Sequence, residues 1–169
     1  MPNLGAIGGE RGINRLEFAL SAAIIGTVAA VLLGEALYYE ELGEKTEVEL
    51  TILNIRAGLR YQVADRMING GTTELAALEG SNPVRWLERP PARYVGERRS
   101  ANPDVIERGE WCFDPDRKEL RYQPRLRNYL SPPDLSVLRW RVVPVFSTAG
   151  NRSIESLALV NLEPYRWFQ

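Results

Sequence analysis

Gly12-Ile13-Asn14-Arg15-Leu16-Glu17 runs directly into residues 18–34, FALSAAIIGTVAAVLLG. The run contains no charge, no proline and no amide. At helical rise it covers roughly 26 Å, close to the ~30 Å hydrocarbon thickness of a bilayer. Leu16 on one side and Leu37-Tyr38-Tyr39 on the other supply interfacial flanks. A carboxylate costs roughly 2.5–3.5 kcal/mol at the centre of an inserted helix and less toward its ends. Glu17 borders the run. It is therefore either a tolerated interfacial charge or the partner of a positive group in an assembly.

The charges flanking the run set its direction. Arg11 and Arg15 precede it, Glu35, Glu40, Glu41 and Glu44 follow it, and Lys45 is the first base beyond. The positive-inside rule then places the N-terminus in the cytoplasm and the rest of the chain outside the inner membrane. Helical character continues past the span, since residues 35–66 hold no proline and one glycine, Gly43. Val48, Ile52, Ile55, Leu59, Val63 and Met67 recur at the spacing of one helical face. Glu41 and Lys45 make a favourable i,i+4 pair, and Asn69-Gly70-Gly71 ends the helix.

This N-terminal arrangement resembles that of type IV pilins and of the pseudopilins of type II secretion systems. The resemblance implies a leader, residues 1–12, removed by a prepilin peptidase after Gly12. It implies N-methylation of the new first residue, Ile13, and makes Glu17 the fifth residue, the glutamate used in assembly. Gly26 falls fourteenth, where many members also carry glycine. The pattern covers roughly residues 1–66. Some positions depart from it. Ile13 replaces the usual phenylalanine, Asn14-Arg15 is more polar than the typical Thr-Leu, and Gly34 stands where many members have a proline. The leader also sets Glu10 beside Arg11. These departures favour a minor or accessory subunit over a principal one.

The expected organisation is a leader (1–12), a transmembrane and assembly helix half (13–40) and a periplasmic pilin-like α+β domain (41–169). Implied partners are the prepilin peptidase, other pilin or pseudopilin subunits, the inner membrane and its assembly platform. Two other readings stay open. Gly34-Glu35-Ala36 is a small-x-small site that would suit a secretory signal peptide, and the run could be a plain anchor. Either would make the chain a membrane-anchored or secreted periplasmic binding domain with no filament role.

Beyond the helix, residues 72–109 read as a long, mostly irregular connection. A two-turn helix from Thr73 ends at Gly80, and turns follow at Asn82-Pro83, Pro90-Pro91 and Asn102-Pro103. Residues 110–114 and 119–123 form a hairpin around Pro115-Asp116-Arg117-Lys118. Residues 137–146 alternate, with Pro144 demanding an edge or a bulge, and a last strand follows Gly150-Asn151. The expectation is a sheet of roughly four antiparallel strands, covered on its apolar face by the amphipathic helix.

The composition argues against an enzyme. There is no histidine, and a single cysteine, Cys112, rules out an intramolecular disulfide. Cys112 lies in the alternating run Trp111-Cys112-Phe113 and reads as a half-buried strand residue. We find no phosphate loop, dinucleotide turn, zinc spacing or nucleophile elbow, so no catalytic residue, metal or cofactor is expected. Asp114, Asp116 and Glu119 cluster at the hairpin turn, but Arg117 and Lys118 dilute them as a calcium site, which needs about 6–8 oxygens. Arg93, Arg98, Arg99, Arg121, Arg125 and Arg127, interleaved with tyrosines, raise nucleic acid as a partner. Interspersed acids and a net charge of −1 favour a solvated or subunit-facing surface instead.

Overall fold

The computed structural model describes residues 10–69, 72–99, 106–147 and 154–168. Two compact units emerge, Met1–Glu40 and Glu41–Gln169. Helix α1, Glu10–Asn69, contributes to both.

In the first unit every side chain from residue 14 to 37 is exposed, including Leu16, Phe18, Ile25 and Leu33. No proline interrupts the helix here, and Thr27 donates its hydroxyl hydrogen to the Ala23 carbonyl at 2.9 Å. The helix is long and apolar enough to cross a membrane, and none of its most apolar window is buried by the protein itself. That is consistent with a single-pass anchor.

The second unit is α+β. After α1 come α2 (Thr72–Ala76), a 3-10 turn (Pro83–Trp86) and seven strands. These are β1 (Tyr94–Glu97), β2 (Trp111–Asp114), β3 (Glu119–Tyr122), β4 (Leu130–Ser131), β5 (Leu138–Phe146), β6 (Ile154–Asn161) and β7 (Arg166–Trp167). One sheet runs β1-β2-β3-β5-β6, and β4 pairs with β7 in a second. Val48, Ile52, Ile55, Leu59 and Val63 of α1 are buried in one cluster with Trp111, Phe113, Leu120, Leu138, Trp140 and Val142. The helical face therefore covers the apolar sheet face as its period requires. Met67 departs from expectation: it is exposed at the end of α1, one turn past the last buried position. Gly58 lies on the same stretch, where an added Cβ would meet the Trp86 carbonyl oxygen at 3.0 Å, so its bareness admits the 3-10 turn against the helix.

The large sheet has five strands, not four, and is mixed. The hairpin β2–β3 and the pairs β3–β5 and β5–β6 are antiparallel, whereas β1 runs parallel to β2. The added strand comes from the stretch read as irregular. Tyr94-Val95-Gly96-Glu97 is short and carries a positive-φ glycine, which hid its strand character. Side chains fix it in place: the Asn82 amide donates to Tyr94 Oη at 2.8 Å and to Glu97 Oε1 at 2.9 Å, and Arg85 donates to the same Glu97 oxygen. Pro144 sits where β5 has outrun β3, whose pairing stops at Trp140, so the missing N–H breaks no ladder on that side. A register shift follows at Val145/Phe146. The expected two-turn helix is shorter, with α2 ending at Ala76 and turns leading to Gly80 at φ +63°.

Candidate functional site

Gly12 and Ile13 fall within α1, but their side chains lie outside the described residues, as do residues 1–9 altogether. Glu17 is exposed, as are Asn14 and Arg15, and it forms no ion pair with any described residue. The first unit thus presents an acid beside a belt of exposed apolar side chains.

The second unit treats two other acids of the same helix differently. Glu41 and Glu44 are 0% and 1% exposed. Each receives hydrogen bonds from residues far along the chain. Glu44 Oε1 accepts from Tyr122 Oη at 2.7 Å and from the Arg125 amide at 2.6 Å, and its Oε2 accepts from the Leu126 amide at 3.2 Å. Glu41 Oε2 accepts from the Asn128 amide at 3.1 Å. Its Oε1 accepts from the Tyr129 amide at 2.9 Å and from Trp167 Nε1 at 3.0 Å. Arg125 adds a guanidinium 3.8 Å from Glu44. Two carboxylates one turn apart therefore satisfy the backbone of the connection between β3 and β4 and anchor β7. Buried charges are tolerated when donors surround them in this way. The geometry holds the loop in place.

Sequence reasoning took Glu41 and Glu44 for acids that orient the span, and paired Glu41 with Lys45. In the structure Lys45 instead faces Glu49 at 3.5 Å. A signal was present. Positions 44 and 41 continue the face of Val48, Ile52 and Ile55 by one and two turns toward the N-terminus, so an acid there falls on the buried face.

Tyr122 carries the electrical consequence. Burial first, then its hydrogen bond to Glu44, raise its phenol well above the ordinary value. Burial likewise raises Cys112, with Arg121 partly opposing, which leaves an inert thiol. Cys112 is buried outright, not half-buried. Asp114, read as turn chemistry, accepts from the Asp116 and Arg117 amides at 3.0 and 3.2 Å and caps the hairpin. Among the described residues no group of three or more metal-binding side chains gathers. The arginines weighed for nucleic acid are dispersed: Arg121 is buried, Arg125 reaches Glu44 and Glu47, and Arg93 lies near Glu107 and Glu110.

Set against family models, curated proteins and solved structures, the chain matches none.

Proposed function

We propose that this chain is a structural subunit, of minor or accessory kind, of a type II secretion or type IV pilus-like filament, matured by a prepilin peptidase. The observation that carries the reading is Gly12-Ile13-Asn14-Arg15-Leu16-Glu17 joined to a membrane-length apolar helix whose exposed Glu17 has no ion pair among the described residues. An unpaired acid at the edge of hydrocarbon is costly, and the amine of a neighbouring subunit's Ile13 would compensate it in a low dielectric. The α+β unit that follows the span in sequence supports the same reading, as the body that the helix would anchor. Its loop clamp and closed core suit a structural part, not a catalyst.

Intact-mass analysis of the protein from its native host tests this. The expected mature chain begins at Ile13 and carries one added methyl group. A chain beginning at Leu37, or an unprocessed Met1, would overturn the proposal in favour of a secreted or simply anchored binding domain. Glu17→Ala is expected to leave carbonate-resistant membrane association intact and to abolish incorporation into the filament.

A further inference from the structure

Strand register sets like charges opposite each other on the outer face of the five-stranded sheet. Asp114 faces Glu119 across β2 and β3, and Arg121 faces Arg139 across β3 and β5. Such pairs destabilise a sheet. Diagonal and lateral partners offset part of the cost. Arg121 Nη1 lies 3.8 Å from Asp114 Oδ2, Arg139 Nη1 lies 3.9 Å from Glu119 Oε2, and Arg141 Nη2 donates to Glu119 Oε1 at 2.8 Å. Arg139 also pairs with Glu163. The compensation is incomplete. Asp114 Oδ2, Glu119 Oε2, Arg121 Nε and Arg141 Nε are buried without a hydrogen-bond partner among the described residues. Four such atoms on one sheet face call for an explanation.

Arg121 is 4% exposed, yet it helps line a cavity of about 490 Å³ together with Arg117 and Arg139. Leu135 and Pro164 supply an apolar wall. The volume falls within the ~300–1,000 Å³ typical of small-ligand pockets. Of the three guanidiniums, Arg139 is engaged by Glu163 and Glu119. The one carboxylate near Arg121 stands at 3.8 Å, beyond hydrogen-bond reach, and the exposed Arg117 side chain has no ion pair among the described residues. Two guanidiniums thus retain free donors. On the lining, Asp134 is the acid that no described base pairs with.

We propose that this cavity binds a carboxylate. The forked guanidiniums of Arg117 and Arg121 hold its oxygens, and Leu135 and Pro164 pack against its carbon body. A planar fork matches carboxylate geometry better than a point charge does. The group could belong to a small dicarboxylic acid or to a glutamate side chain of another protein. Charge sets the polarity of the site: Asp134 weakens anion binding, and Arg117 at the rim draws the anion in.

The test follows the arginine Nε–Hε NMR signals of the full chain in detergent micelles, with the Arg121 signal assigned through Arg121→Lys. Two probes are titrated separately: glutarate, and a capped peptide with one glutamate between leucines. A saturable shift of the Arg121 signal is expected. Arg117→Gln, an exposed change that spares the fold, is expected to weaken it about tenfold, the worth of one charge-assisted hydrogen bond. Asp134→Asn is expected to tighten binding. Tighter binding of the peptide would identify a protein partner, and tighter binding of glutarate a small molecule. The proposal is overturned if neither probe gives a saturable shift, if sodium chloride at matched ionic strength reproduces it, or if Arg117→Gln binds as well as the parent.

Discussion

Residues 14–37 and 41–63 belong to one helix, yet their side chains meet opposite surroundings. In the first stretch the apolar residues and Glu17 all face outward. In the second, Val48, Ile52, Ile55 and Leu59 are covered by the chain's own sheet, and Glu41 and Glu44 are wrapped by the chain's own donors. The contrast teaches that an acid on an apolar face is a demand for donors. Its role depends on who meets the demand. Residues 124–129, Tyr122 and Trp167 meet it for Glu41 and Glu44. For Glu17 no described residue does, and its side chain stays exposed.

The largest effect should come from breaking the covered stretch. A chain starting at Glu41 is expected to fold without lipid, and Ile55→Asp in it should cost about 4 kcal/mol or more, because Ile55 is fully buried and the new charge has no partner. Urea midpoints measure this. A midpoint equal to the parent's would mean that the helix does not pack on the sheet through this face.

Next comes the clamp. Glu44→Ala removes the acceptor for Tyr122 Oη and for the Arg125 and Leu126 amides, at a cost of about 3 kcal/mol. Glu44→Gln keeps one acceptor oxygen and should lose less. Equal melts for Glu44→Ala and the parent would erase the distinction drawn between Glu44 and Glu17.

Tyr122→Phe should cost about 1 kcal/mol at neutral pH, the loss of one hydrogen bond. It also carries a pH signature. The folded chain holds the Tyr122 proton above the ordinary value of 10.0. This contribution is fully present below about pH 10. Above that the unfolded chain releases its proton first, so stability falls by up to about 1.4 kcal/mol per pH unit. Tyr94 and Tyr165 are raised too, chiefly by burial, and add to the slope. Denaturation between pH 9 and 11 should therefore be shallower in Tyr122→Phe than in the parent.

The smallest effect on stability sharpens the contrast most. Glu17→Ala is expected to shift the melt of the second unit by less than about 0.5 kcal/mol, as an exposed change away from its core should. A larger shift would mean that Glu17 is held by its own chain after all.

Much of the fold was legible because period is a strong signal. The spacing of Val48, Ile52, Ile55, Leu59 and Val63 announced a buried helical face, and Pro115-Asp116-Arg117-Lys118 announced the β2–β3 hairpin. β1 was not legible. Its four residues carry a positive-φ glycine, and its partner β2 is distant and parallel. Polarity also misled. Glu41 and Glu44 read as charges that flank the span, although their positions place them on the buried face. The charged outer face of the sheet went unread for a related reason: Asp114, Glu119 and Arg121 look like surface residues until cross-strand register brings them together.

The Glu41–Trp167 hydrogen bond joins residues 126 positions apart. Closing so long a loop is entropically slow, and chains rich in such distant contacts fold slowly. The last of the donors to Glu41 thus comes from the last described strand. During synthesis, Glu41 and Glu44 emerge with the membrane-proximal helix long before Tyr122, residues 124–129 and Trp167 exist to receive them. For that interval the two carboxylates stay hydrated, and the helix keeps a charged end that cannot pair wrongly with an apolar surface. The Glu41–Trp167 bond is therefore one that only a chain made as far as β7 can form.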